Sequence, residues 1–353
     1  MTLRFGIIGY GGMGGWHKRH IEALEGMEVV AIHDIDPARV EAGKAEGLKS
    51  YLHLQDFLSD PDVQVVIIAT PNDVHMELAI ASAASGKHVV CEKPVALSSA
   101  QLDEMIATAQ RHNVVFTVHQ NRRWDKDFRR VMNALRARLI GEPYIIESRV
   151  HGPNGAIHGW RGKKIHGGGM LLDWGVHLID QILWMIKTPL KSVFCRMRSV
   201  VNQEVDDYFR LEMEFVDGLI AHVEVGTMCL EPLPRWHVGG TLGTIRIETF
   251  TDEGCLTVLR RAAQYNSGPL VDTGAGPTRT FGKVNGVEVC RSPLEDPKTD
   301  SNDFYRNVKA AIEDGAELIV KPEEVRKVMK VMEAGFESNR TGMPVLFSER
   351  NLN

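Results

Sequence analysis

The sequence predicts an α/β protein in two parts. The first is a doubly wound parallel sheet; the second is an α+β part with a large open, mostly antiparallel sheet. Three observations predict this. Strand and helix patterns alternate from Leu3 to Val118, which builds a parallel sheet with helices on both faces. The first strand runs into Gly9, Gly11 and Gly14, a G-x-G-x-x-G turn opening a helix. From residue 191 onward apolar residues alternate with polar ones around hairpin turns such as Asp217-Gly218. The expected boundary gives parts 1–122 and 123–353.

Composition narrows the class. The chain has 353 residues, enough for two cores of ordinary size. A formal net charge of −5 offers no basic field for nucleic acid or an anionic membrane surface. The strand pattern starting at Leu3 predicts no signal peptide, and the longest apolar run, Val65 to Ala69, is too short to span a bilayer. Five scattered cysteines (Cys91, Cys195, Cys229, Cys255, Cys290) fit neither a disulfide framework nor a zinc ribbon. A cytoplasmic protein is expected.

Arg4 to Ile8 reads as a buried strand, followed by the glycine turn and a helix to about Leu24. The second strand, Val29 to Ile32, ends at His33-Asp34, with Asp34 lying 20 residues after Gly14. Together these are the fingerprint of a Rossmann dinucleotide site. Gly9 permits the tight turn, Gly11 lets the backbone approach a pyrophosphate, and Gly14 lets helix pack on strand. The turn Gly9-Tyr10-Gly11-Gly12-Met13-Gly14 then presents free N–H groups to the phosphates. Asp34 accepts from ribose hydroxyls and repels a 2′-phosphate, so NAD is expected over NADP.

The alternation continues through a strand at Val63–Ala69, a helix with His75, the strand His88–Cys91, a helix over 98–112 and a strand at 114–118. Ligands bind at the carboxyl ends of such strands. Thr70, Asn72, His75, Glu92, Lys93 and Gln120 are therefore candidate cofactor contacts, and Asn121 a candidate substrate contact. Lys93 precedes Pro94, which restricts its backbone and aims its ammonium at a substrate oxygen.

The second part begins after Asn121-Arg122-Arg123-Trp124-Asp125 with a helix over 128–139 and a strand over 143–151. A long loop, 152–169, carries Asn154, His158, Trp160, Arg161, Lys163, Lys164 and His166; loops this long are usually functional. Asn121, Arg123, His151, Asn154, Trp160, Arg161 and Arg235 are candidate polyol contacts. Gly167-Gly168-Gly169 then precede a helical run in which Asp173 and His177 sit four apart, one turn along the same face. A surface ion pair shows the same spacing. Asn285-Gly286 marks a further hairpin, and two helices close the pattern, the second with a Met-containing core stripe from Val325 to Phe336. His17 and His20, three apart on the first helix, read as surface histidines. A divalent ion on Asp173, His177 and either His151 or His166 is the less favoured reading, because Lys93 would repel it; no metal is expected.

Gly9-x-Gly11-x-x-Gly14, Glu92-Lys93-Pro94 and Gly167-Gly168-Gly169-x-x-x-Asp173-x-Gly175-x-His177-x-x-Asp180 together resemble the glucose–fructose oxidoreductase/inositol dehydrogenase (Gfo/Idh/MocA) family. The resemblance runs nearly the whole chain, through Asp303-Phe304-Tyr305. It implies a nicotinamide cofactor, Lys93, Asp173 and His177 as the catalytic set, and a homo-oligomer, dimer or tetramer, paired through the open sheet face around Arg210 and Glu212. The expected reaction is reversible hydride transfer from a secondary hydroxyl of a sugar, glycoside or cyclitol. His177 serves as a base near neutral pH, with its pKa raised by Asp173, and Lys93 polarises the oxygen. Two other readings are an oxidation–elimination glycosidase that recycles NAD in place and a non-catalytic NAD sensor, which would be expected to lose Lys93 or His177.

Overall fold

The computed structural model describes residues 2–261, 270–279 and 288–348; the Asn285-Gly286 hairpin expectation lies outside them. The first sheet is wound from β1 (Leu3–Ile8), α1 (Gly12–Glu22), β2 (Met27–His33), α2 (Pro37–Ala45), β3 (Lys49–Tyr51), α3 (Leu54–Leu58), β4 (Val65–Ile68), α4 (His75–Ala84), β5 (His88–Cys91), α5 (Ser99–Arg111) and β6 (Phe116–Val118). Its six strands lie in the order β3-β2-β1-β4-β5-β6, all parallel. The order reverses between β1 and β4, and the carboxyl ends on either side of that reversal form the crevice. Val65, Val66, Ile67 and Ile68 are fully buried, as a strand covered on both faces requires.

The second half follows as α6 (Lys126–Arg136), β7 (Pro143–His151), α7 (Val176–Met185), β8 (Leu190–Arg198), β9 (Tyr208–Phe215), β10 (Ile220–Gly226), β11 (Trp236–Gly240), β12 (Gly243–Ile247), β13 (Cys255–Arg261), β14 (Leu270–Thr273), β15 (Gly276–Arg279), β16 (Glu288–Pro293), α8 (Asp303–Glu313), α9 (Pro322–Thr341) and β17 (Val345–Leu346). Its large sheet runs β16-β13-β12-β11-β7-β10-β9-β8-β17. Pairing is antiparallel except between β7 and β10, which run parallel from Ile145↔Ile220 to His151↔Gly226. The sheet is thus mostly antiparallel, as expected, with that one parallel pair inside it.

One face of the large sheet is apolar: Phe209, Leu211 and Met213 on β9 and Ala221, Val223 and Val225 on β10 are buried beneath α7 and α9. The other face carries Glu147, Arg149, His151, Tyr208, Arg210, Glu212, His222 and Glu224. Glu147, Arg149, His151, Tyr208 and Glu224 tie into one network, in which Glu224 accepts from Arg149 Nε at 3.3 Å and from Tyr208 Oη at 3.0 Å, and His222 lies 3.6 Å from Glu212. All five cysteines are free. Among the described residues no helix is long and apolar enough to cross a membrane.

Candidate active site

The glycine turn is shaped as the sequence demands. A Cβ on Gly14 would lie 2.3 Å from Gly9 O, so only glycine lets α1 sit this close to the first turn. Helix α1 starts at Gly12 with no side-chain cap and no acidic residue in its first turn, leaving N–H groups and the dipole open to an anion. Asp34 is buried at the end of β2, where its carboxylate accepts from Tyr10 N–H at 2.8 Å and Asp36 N–H at 2.9 Å. Arg39 Nη1 donates to the same carboxylate at 3.2 Å. Further along the strand ends, Thr70 Oγ1 and both polar atoms of the Gln120 amide are buried without a partner. Open helix amides, a buried acid and orphaned polar atoms along one crevice fit a dinucleotide.

Three expected cofactor contacts have other work. Both ring nitrogens of His75 are engaged, 2.9 Å from Pro94 O and 3.0 Å from Thr70 O, so its side chain braces the strand ends and is not free for a cofactor. Asn72 Nδ2 donates to Gly167 O at 2.9 Å and tethers the long loop. Glu92 turns away into a cluster with His17 and His119. His17, expected on the surface, is completely buried; His20 stacks on Trp16 at a centroid distance of 3.7 Å.

The catalytic candidates meet. Lys93 Nζ donates to Asp173 Oδ1 at 2.9 Å and Asp173 O at 3.0 Å, and Arg161 Nε approaches the same carboxylate oxygen at 3.4 Å. Burial opposes ionisation of Asp173, but Lys93 and Arg161 outweigh it and hold the carboxyl below its usual range. Arg161 lies 4.4 Å from the Trp160 ring, so the loop pair contributes both a cation and an aromatic face. His177 is 3% exposed, makes no hydrogen bond among the described residues, and has its Nδ1 buried without a partner. Burial, then Lys93 and Arg122, push its pKa well below 6.5. The expectation that Asp173 raises it is therefore overturned: Asp173 is paired with Lys93, and burial, helped by the cations, decides at the imidazole.

Local backbone explains the placement. Leu171–Gly175 is a π-helical segment leading into α7, so Asp173 and His177 are not joined by a regular α turn. Asp206 fixes its start: Asp206 Oδ2 accepts Leu171 N–H at 2.8 Å and Asp206 O accepts Met170 N–H at 2.9 Å. Gly169 has φ +107°, and a Cβ there would lie 2.2 Å from Asp206 Oδ1, so the last of the three glycines makes room for the cap. Burial is the largest influence on Asp206 and raises its pKa to about 6.

Several expected substrate contacts are elsewhere. Arg123 is 1% exposed and bidentate to buried Asp180, with Nε–Oδ2 2.8 Å and Nη2–Oδ1 2.7 Å. Arg235 is likewise interior, donating to Ser148 Oγ at 2.5 Å and Gln181 Oε1 at 3.1 Å. His151 sits on the outer sheet face, 3.7 Å from Glu224, and His166 pairs with Asp73 at 3.0 Å. Neither histidine joins Asp173 and His177, so the metal set weighed above is not assembled. Asn154 is exposed, and Asn121 opens the short helix Asn121–Trp124 half-buried. The arginine that does approach is Arg122, whose guanidinium lies 4.2 Å from the Trp174 ring, itself 6.0 Å from the His177 ring. The twin arginines were visible in the sequence; which one faces the site was not.

Comparison with known proteins comes to the same place. A family model described as an oxidoreductase family with an NAD-binding Rossmann fold matches residues 3–120, and one described as the GFO/IDH/MocA C-terminal domain matches 128–246. The chain is 27% identical over 344 residues to a scyllo-inositol 2-dehydrogenase (NADP(+)) of Bacillus subtilis, covering 96% of this chain and 94% of that protein. It is 30% identical over 281 residues to an inositol 2-dehydrogenase of Salmonella typhimurium, covering 77% and 80%. Among solved structures, an NAD-binding protein from Listeria innocua superposes with a TM-score of 0.93 at 40% identity, covering 98% of this chain and 99% of that one.

Proposed function

Because the chain belongs to the Gfo/Idh/MocA family of NAD(P)-dependent oxidoreductases, which act on CH–OH groups, we propose that it oxidises a secondary hydroxyl of a cyclitol or related sugar, reversibly, with Lys93 and His177 at the reacting oxygen. The observation that carries this reading is His177: a buried imidazole without a hydrogen-bond partner, beside a lysine already oriented by Asp173. With its pKa well below 6.5 the ring is neutral at pH 7, so one nitrogen holds a lone pair ready for the hydroxyl proton. Lys93 stabilises negative charge as it grows on that oxygen. Asp173 and Arg161 hold the lysine and the loop in position. NAD, when bound, would supply the hydride acceptor; His177 would take the O–H proton while Lys93 holds the oxygen, and loss of that proton and of the carbinol hydride would leave a carbonyl.

The polar reach of Arg122, Arg161 and Trp160 suits a ring rich in hydroxyls. The inositol dehydrogenases among the relatives make cyclitols the first substrates to try. The test is reduced-cofactor absorbance with a panel of inositols, hexoses and glycosides, each with NAD and with NADP. Turnover of free NAD by a cyclitol or sugar supports the reading. Glycoside cleavage without net turnover of NAD would replace it with the internally recycled glycosidase, and silence from every polyol despite NAD binding would leave the sensor. We infer further that two copies pair through the charged outer face around Arg210, Glu212 and His222. A monomer at micromolar concentration in sedimentation would contradict this.

A further inference from the structure

Behind Lys93 lies a second set of ionisable side chains that the hydride chemistry does not use. Glu92, 6% exposed, accepts from His17 Nε2 at 3.0 Å, from His119 Nδ1 at 2.7 Å and from Lys93 N–H at 3.1 Å. Tyr305 Oη lies 2.7 Å from His17 Nδ1. With Nε2 donating to the carboxylate, Nδ1 is the acceptor, so the tyrosine donates and the ring is neutral. Burial agrees, pressing His17 down to about 4. Two histidines and a carboxylate have the composition of a metal site, and their ligand atoms fall within 4.8 Å of one another. Yet both rings already point a proton at the carboxylate, and the other nitrogen of His17 is filled by Tyr305. The carboxylate and both nitrogens of His17 are thus engaged, and among the described residues His119 Nε2 is buried without a partner.

What the cluster lacks, among the described residues, is a lysine or arginine. Burial opposes ionisation of Glu92, but the imidazoles and their hydrogen bonds outweigh it and hold the carboxyl well below its usual range. Among the described residues its ion-pair contacts are those two rings and no lysine or arginine; the ammonium of Lys93 goes to Asp173. An ionised carboxylate is thus buried just past the carboxyl end of β5, one residue before Lys93. Its field reaches His177, where it opposes Lys93 and Arg122. Away from water a carboxylate charge there is little screened.

We propose that Glu92 is a fixed anion that favours the oxidised, positively charged nicotinamide over the neutral reduced ring, so that His17, Glu92, His119 and Tyr305 together set the redox poise of bound NAD. This rests on the cofactor assignment and not on the polyol. The test needs no substrate: NAD and NADH are each titrated by protein fluorescence against the wild type and three variants. Glu92→Gln is expected to lower the preference for NAD over NADH about tenfold, the size of a poorly screened charge interaction. Glu92→Asp and Tyr305→Phe keep the carboxylate and should hold the preference within about twofold, even where both affinities fall. Equal weakening of both nucleotides by Glu92→Gln would make the cluster structural only and overturn the proposal. So would an equal loss of preference in Glu92→Asp. If Glu92→Gln does not fold, Glu92→Ala takes its place: it too removes the charge, so an unchanged preference for NAD would refute the idea. Binding of neither nucleotide by the wild type would overturn this proposal and the cofactor assignment together, whereas a polyol screen without a hit leaves it untouched.

Discussion

Replacing Arg123 and Arg122 in turn separates an arginine that holds the protein together from one that meets substrate. The Arg123 guanidinium is satisfied on every side: two bonds to Asp180, one to Glu324 Oε2 at 2.7 Å and one to Ile319 O at 2.7 Å. Asp180 is itself 2% exposed. Arg123→Met therefore leaves a buried carboxylate unpaired, which costs about 3–5 kcal/mol, and an interior carbonyl unmet, which costs about 1 kcal/mol more. Against a typical stability of about 5–15 kcal/mol, that is about a quarter of the total or more. Arg122 differs. Its pair with Asp125 is partly exposed on both sides, so Arg122→Met should cost no more than about 1–2 kcal/mol, counting the stacking on Trp174. The kinetic order is the reverse. A lost charged hydrogen bond to a hydroxyl lowers kcat/KM by about 10- to 100-fold, and only Arg122→Met should show it. Urea denaturation followed by circular dichroism, with kcat/KM for the best polyol, reads both. Arg123→Met/Asp180→Leu removes both charges and should recover much of the lost stability, since apolar replacement of a buried pair is often neutral. An Arg123→Met protein that denatures like the wild type while its kcat/KM collapses would refute the assignment.

Three further expectations follow from the site. His177→Ala should reduce kcat by about 10²- to 10⁴-fold, and the wild-type kcat/KM should rise through a group below pH 6.5, not near neutrality, with that limb absent in the variant; an unchanged limb would move the base elsewhere. Asp206 has a folded pKa of about 6 against 3.8 unfolded, so the folded state binds more protons in between and stability falls as pH rises through that window. Relative to Asp206→Asn, the wild type should lose about 2–3 kcal/mol between pH 4 and 7 in urea denaturation, and a difference flat in pH would contradict the buried charge. Asp34→Ser should weaken NAD and admit NADP, because Arg39 is released from its carboxylate; a wild type that already prefers NADP would show Asp34 to be misread.

Features with local causes were legible from sequence. The glycine turn is dictated by contacts within a few residues, and Asp34 by its place at a strand end. The meeting of Lys93, Asp173 and His177 was foreseen, but the π segment was not, since its cap comes from Asp206, 35 positions beyond Leu171. Arg122 and Arg123 are neighbours with identical chemistry; their faces are settled by Asp180 and Glu324, 57 and 201 positions from Arg123. Helical spacing put His17 on the surface because its partner, Tyr305, is 288 positions away. The parallel β7·β10 pair escaped for the same reason. Alternation marks a strand's faces and says nothing of its neighbour's direction.

The closing helices bind both sheets, and this bears on how the protein comes into being. Thr117 on β6 donates to Val320 O, 203 positions later. Ser99 meets Glu333, Asp103 meets Arg326, and on the other sheet Cys195 N–H meets Ser338. A ribosome therefore releases all six strands of the cofactor half long before the groups that satisfy them exist. Until α8 and α9 emerge, His17 lacks Tyr305, and the surface that α9 will cover stands open to water. For the whole of that interval the nascent half lacks these partners, and apolar surface left open in this way favours association between chains.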